Sequence, residues 1–97
     1  MIYGDYEWDD QKAQQNLAAH GVTFEEATTV FDDPFYIIYA DPDHSVAERR
    51  FIIIGESKRH QYLFVSYTEQ GQRTRLISAR ELTTQERKSY EGKKERF

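Results

Sequence analysis

Two short, almost uninterrupted apolar runs dominate the second half of the chain, Phe51-Ile52-Ile53-Ile54 and Tyr62-Leu63-Phe64-Val65. Both are rich in β-branched and aromatic residues and too short for ordinary helices, so they predict strands over Arg50 to Gly55 and Tyr62 to Thr68. The polar stretch Glu56 to Gln61 joins them as a turn. Gln70-Gly71 then turns the chain into a third strand, Arg73 to Arg80, which completes an antiparallel meander. Runs that are apolar at every position leave neither face polar. The middle of this sheet must therefore be covered on both faces, or have one face forming a cleft. In the third strand, strict alternation puts Arg73 and Arg75 on one face and Leu76, Ser78 and Arg80 on the other.

Helical periodicity is confined to the two ends. After a short strand at Tyr6-Glu7-Trp8, Asp9 or Asp10 is a fit N-cap for a helix that places Ala13, Asn16, Leu17 and His20 at helical spacing. Gly21 closes it in the left-handed conformation, with His20 against the negative end of the helix dipole. That position is a sufficient structural reason for His20, and a catalytic role is the alternative. Thr23 with Glu26 forms a capping box, and Val22 staples onto Ala27, for a second helix that buries Phe24, Ala27 and Phe31. Asp33-Pro34 ends it. Phe35 to Tyr39 reads as another strand. Asp41-Pro42-Asp43-His44-Ser45 reads as a turn, having too few oxygen ligands for a hard metal ion. At the far end, Leu82 leads into Thr83, which with Glu86 caps a basic C-terminal helix.

Helices segregated in sequence from a run of strands predict a single α+β domain: two N-terminal helices and a C-terminal helix around a mostly antiparallel sheet. Trp8, Leu17, Phe24, Phe31, Ile52, Ile54, Leu63, Val65 and Ile77 are its expected core. Ninety-seven residues support one such domain, 1–97, without a linker or repeat to divide them. The longest apolar runs are far below a membrane span and the N-terminus lacks the regions of a signal peptide, which points to the cytoplasm. With no cysteine and three scattered histidines, thiolate catalysis is excluded and neither a metal nor another cofactor is expected.

Charge changes this picture more than composition does. The net charge is −4, yet residues 1–48 hold one lysine against eleven Asp and Glu, for −10, whereas residues 49–97 hold twelve Lys and Arg against six acids, for +6. Either the halves pair in the fold, or the protein presents a basic face to phosphates beside an acidic face for something else.

The strings YEWDDQKAQQNLAAHGVTFEEATTVFDDP, DPDHSVAERRFIIIG and LISARELTTQERKSYE, in that order, carry a resemblance. From about Tyr6 to Glu91 the chain is similar to the BrnT family of bacterial toxins. The elements N-leucine-x-x-HGV-x-F-E-E-A, D-P and I-S-A-R followed by E-R-x-x-Y are each weak alone and specific together. Many members place lysine before the histidine of the first helix, where this chain has Ala19. The resemblance implies a RelE-like fold and the toxin of a type II toxin–antitoxin system. Such a toxin is an endoribonuclease that cleaves RNA and inhibits translation. A ribbon-helix-helix antitoxin would neutralise it and make the contacts to operator DNA.

The residues are compatible with that chemistry. RNA cleavage needs no metal if a base takes the 2′-hydroxyl proton, cations stabilise the charge on phosphate, and an acid protonates the leaving oxygen. Arginine suits the second task because its fork is always charged and matches phosphate oxygens in pairs. Arg75 and Arg80 are the candidates for it, with Glu69 as a possible base and His20 or Tyr67 as a possible acid. Arg49, Arg50 and Arg73 are candidates for RNA binding. Each has a structural alternative: Tyr67 as a core residue with its hydroxyl at the rim, Glu69 as a salt-bridge partner, and Arg80 as an anchor for the C-terminal helix through Glu86. Two other classes share these features, a non-catalytic RNA- or ribosome-binding module and a protein-interaction domain docking a basic partner on its acidic half.

Overall fold

The computed structural model describes residues 1–41, 43 and 48–96. A six-stranded sheet runs through it in the order β1-β2-β6-β5-β4-β3. The strands are β1 (Ile2–Tyr3), β2 (Tyr6–Glu7), β3 (Ile37–Ala40), β4 (Arg50–Glu56), β5 (Tyr62–Gln70) and β6 (Arg73–Glu81). All neighbours are antiparallel except β2 and β6, which pair in parallel over Tyr6 and Glu7. The helices are α1 (Asp10–His20), α2 (Phe24–Thr28) continued by a 3₁₀ turn over Thr29–Asp32, and α3 (Thr84–Lys94). The α+β class, the meander and the three helices are as expected. The edge strand β1 and the parallel pair are not, because two-residue strands carry no periodic signal. The turn expected at residues 41–45 lies largely outside the described residues.

Helix boundaries follow the caps. Asp9 accepts a hydrogen bond from the Lys12 amide, and Gly21, at φ 68°, ends α1 with its amide donating to the Leu17 carbonyl. Thr83 and Glu86 form the full reciprocal box at the start of α3. α2 lasts only five residues before tightening. Asp33 then takes over the chain direction by accepting from the Phe35 amide at 2.8 Å, which delays β3 to Ile37.

One sheet face packs on α1, α2 and the 3₁₀ turn. Its core holds Trp8, Val22, Phe24, Ala27, Val30, Ile53, Leu63, Val65, Tyr67, Leu76 and Ala79. Among the described residues α3 lies over one end of the opposite face, above Tyr62, Phe64 and Ile54, and farther along it Ser66 and Thr68 are also buried. Two polar anchors tie these layers. The Asn16 side chain donates to the carbonyls of Val22 and Ala79, at 3.0 and 2.8 Å, and accepts from the Ala79 amide at 3.0 Å. It stands in for a strand neighbour on the outer edge of β6, beyond the two residues that β2 pairs. Asp33 is buried and satisfied by the Phe35 amide, the Glu56 amide at 2.7 Å and the Tyr90 hydroxyl at 2.6 Å. The last of these joins α3 to the far side of the sheet. A side chain at Gly55 would bring its Cβ to 2.8 Å from the Asp33 carboxylate, so only glycine admits that carboxylate against β4.

Five of the nine expected core residues are buried: Trp8, Phe24, Ile54, Leu63 and Val65. Phe31, Ile52 and Ile77 are half-buried, and Leu17 is 48% exposed. Leu17 is a correction with a clear cause. α1 turns Asn16 rather than Leu17 toward β6, because the edge there needs a donor and an acceptor more than it needs apolar cover. Asn16→Leu should therefore cost roughly 2–4 kcal/mol by leaving buried backbone groups unpaired. The neighbouring Leu17→Ala should stay within about 0.5 kcal/mol. Urea midpoints at constant slope measure both; equal effects would contradict this account of α1.

Candidate nucleic-acid interface

The open sheet face is best described in cross-strand rows. Under α3 lies the row Ile37, Ile54, Phe64 and Arg80. Next come Tyr39, Ile52, Ser66 and Ser78, and beyond them Arg50, Thr68 and Arg75, with Glu7 beside Arg75 on β2. Strict alternation on β6 had put Arg75 and Arg80 on opposite faces. The register corrects that: Ser66 pairs with Ser78 but Tyr67 pairs with Leu76, so Ile77 is an extra residue and β6 bulges there. Such a bulge resets the parity of a strand. Arg75, Ser78 and Arg80 consequently share one face, and Arg73, opposite Gln70, shares it at the strand end.

The result is a shallow cleft along the sheet face, with Ser66 and Thr68 buried and Ser78 half-buried beneath it and arginine at both ends, Arg75 and Arg80 lying about 13 Å apart by strand rise. At one end Arg80 donates to both Glu86 oxygens, at 2.9 and 3.0 Å, and stacks on Phe64 at 3.9 Å. At the other, Arg75 pairs with Glu7 at 3.1 Å and Arg50 with Glu48 at 3.0 Å. These two pairs are partly exposed, and phosphate oxygens can compete for both forks. Arg50 and Arg75 flank Thr68 on neighbouring strands, about 10 Å apart by strand spacing, so their side chains can bracket one phosphate.

The other sequence-derived candidates lie elsewhere. Tyr67 faces the helical layer, 4% exposed, stacked on Phe51 and edge-on to Phe31. Burial, with Glu69 and Tyr36 nearby, pushes its hydroxyl up to about 12, and it does not reach the cleft floor. Glu69 shares that face of β5 but sits exposed at the strand end, where the Thr74 hydroxyl donates to it at 3.4 Å. Arg49 leans over Phe51 near the same end, at 5.6 Å. His20 is exposed at the end of α1, in an open groove with Lys12, Asn16 and Ile77 on the outer edge of β6. The structure thus gathers Arg50, Arg73, Arg75 and Arg80 on the cleft face and does not place His20, Tyr67, Glu69 or Arg49 there. Sequence reasoning missed Glu7, Ser66, Thr68 and Ser78. Their signal was positional, since each falls opposite an arginine or serine once the bulge is counted.

Asp9, Asp10, Glu25 and Glu26 ride on α1, α2 and their caps, while Arg50, Arg73, Arg75 and Arg80 occupy the opposite sheet face, three of them paired there with Glu48, Glu7 and Glu86. Fold and surface together define a small α+β protein with an arginine-lined sheet face opposite an acidic helical layer. Residues 8–86 match the family model described as ribonuclease toxin, BrnT, of type II toxin-antitoxin system, and the chain belongs to that family. The fold is similar to that of the Brucella abortus ribonuclease toxin BrnT, solved at 1.1 Å, with a TM-score of 0.58 and 24% identity over 79% of this chain and 94% of that one. Among curated proteins no sequence matches the chain.

The clamp at the closed end of the cleft has a pH signature. Hydrogen bonding from Arg80, reinforced by the Thr83 amide and opposed by partial burial, holds the Glu86 carboxyl below its ordinary 4.5. A lowered folded value means the clamp contributes its full stability above the unfolded value and loses it as pH falls through the folded one. The stability difference between the wild-type chain and Glu86→Gln should be constant near neutrality and shrink below about pH 4.5. Urea midpoints at pH 7 and pH 3 measure it; a difference that does not change with pH would contradict the clamp.

Proposed function

We propose that the chain is a metal-independent endoribonuclease of RelE-like architecture and that its open sheet face is the catalytic cleft. The observation that carries this is the row Arg50, Thr68 and Arg75, set by the bulge on the same face as Arg80. Two bracketing guanidinium groups can hold a phosphodiester and stabilise the charge that builds on it as the ribose 2′-hydroxyl attacks. Arg80 is committed to Glu86, so its part is to fix α3 and bound the cleft, with a charge that still contributes to the local field. Glu7, 3.1 Å from Arg75 on the cleft face, is better placed than Glu69 to take the 2′-hydroxyl proton. Once deprotonated, the 2′-oxygen displaces the 5′-oxygen, giving a 2′,3′-cyclic phosphate. The leaving oxygen takes its proton from water, because His20 lies off the cleft face in the groove at the end of α1 and His60 is held by Glu56 beyond the other end of the sheet, at 2.7 Å.

Membership of a type II system implies an antitoxin partner. Our reading is that this partner is a ribbon-helix-helix protein that covers the Arg75 and Arg80 face and alone contacts operator DNA, the acidic helical layer of this chain being repelled by duplex phosphates. A cytoplasmic site of action follows from an RNA substrate.

The test is incubation of the purified chain with single-stranded RNA in EDTA. Cleavage should persist, leave cyclic phosphate ends and stop at a 2′-deoxy position. Arg75→Ala should slow it on the order of a hundredfold to a thousandfold without loss of fold. Loss of cleavage in EDTA, an RNA gel shift without cleavage, or full activity in Arg75→Ala would each contradict the proposal.

A further inference from the structure

A hollow of 580 Å³ opens at the strand ends beside the cleft and is lined by Arg49, Phe51, Thr68, Glu69 and Gln70 among others. We infer that it is a nucleobase site selective for guanine. The inference rests on the cleft holding RNA, because Thr68 belongs both to this hollow and to the Arg50 and Arg75 row. A base attached to a phosphate held on that row can turn over the strand end into the hollow.

Three side chains define what fits. The half-buried Phe51 ring lies in the hollow, its back supported by the Tyr67 ring at 5.6 Å and 29°. The Arg49 guanidinium lies above it at 5.6 Å, whereas the closed cation–ring pairs of this protein, Arg80 on Phe64 and Arg87 on Tyr62, sit at 3.9 Å. A planar base between ring and guanidinium needs a spacing of about 7 Å, two contacts of about 3.5 Å. The pair is thus already parted by more than half of the extra distance. Among the described residues the Arg49 side chain has no hydrogen bond to break, while its carbonyl is held by the Thr68 hydroxyl at 2.6 Å. A modest swing of the side chain alone completes the sandwich. Aromatic and arginine planes are how single-stranded bases are held.

Glu69 supplies the choice of base. It is exposed, and its one hydrogen bond among the described residues is the long contact from Thr74 to Oε2, so Oε1 is open. An ionised carboxylate only accepts, and its two oxygens match an edge with two adjacent donors. Guanine offers that edge in N1–H and the 2-amino group. Adenine and cytosine present a donor beside a ring-nitrogen acceptor, and uracil flanks its single donor with two carbonyls. Each of these sets a lone pair against the carboxylate.

Binding of guanosine, adenosine, cytidine and uridine 3′-monophosphates to the full chain, followed by amide NMR shifts, tests this without requiring cleavage. Guanosine 3′-monophosphate should bind at least tenfold more tightly than the others, with shifts centred on Arg49, Phe51 and Glu69. Inosine 3′-monophosphate, lacking the 2-amino group, should fall between. Glu69→Gln, which swaps one acceptor for a donor, should abolish the preference, and Phe51→Leu should weaken all four while the amide spectrum stays that of the folded chain. Equal binding of the four, or shifts confined to other surfaces, would overturn the inference and leave the cleft untouched. Guanosine binding by a chain that cleaves no RNA would uphold the base site and defeat the ribonuclease reading.

Discussion

β5 runs directly from Ser66 to Tyr67 while β6 needs Ile77 between their partners Ser78 and Leu76, and everything on the open face depends on that extra residue. A strand without it would keep Leu76 and Ala79 on opposite faces. With it, both are buried under the helices, and Arg75 and Arg80 are both delivered to the opposite face. The bulge is held from outside. β2 pairs only Thr74 and Arg75, and the Asn16 amide engages both backbone groups of Ala79, so the short stretch between is free to carry one residue more. One helical side chain thereby closes a sheet edge that would otherwise invite pairing with another chain.

A second constraint keeps the cleft a cleft. α3 could cover the whole open face or leave it bare, and three contacts limit it to one end: the Arg80 and Glu86 fork, the capping box at Thr83, and the Tyr90 hydroxyl on Asp33. The last depends on Gly55, whose missing side chain lets a buried carboxylate approach β4 and serve donors from α3, β4 and the chain after the 3₁₀ turn. Burial and that hydrogen bond raise the Tyr90 hydroxyl well above its ordinary value, so it stays a donor throughout the accessible pH range. The apolar alternation of β4 and β5 accounts for both covers, Ile53 facing the helical layer and Ile54 facing α3.

Much of this was legible in the chain. Caps at Asp9, Thr23 and Thr83, glycine at 21 and proline at 34 fix the helices through local chemistry, and the two apolar runs announce a sheet covered on both faces or with one face forming a cleft. The candidate site was legible only in part. Arg50, Arg73, Arg75 and Arg80 were visible as types, but their common face rests on a register shift that no local pattern encodes. Tyr67 and Glu69 were rightly placed on one face of β5, yet it is the helical face, because the core takes Leu63, Val65 and Tyr67 together. Leu17 misled because apolar character alone could not reveal that the edge of β6 would claim its neighbour Asn16. Glu7 was hidden in a two-residue strand whose parallel partner lies 68 positions away.

On the function proposed above, the bulged sheet face, rather than the groove at the end of α1, holds the RNA backbone. An amide chemical-shift map of the chain with a 2′-O-methyl RNA oligonucleotide, which binds without being cleaved, tests it directly. Shifts should concentrate at Arg50, Ser66, Thr68, Arg75 and Ser78, fading with salt as phosphate contacts do. Shifts concentrated at Lys12, Gln15 and Ala19 with the cleft residues unmoved would contradict it.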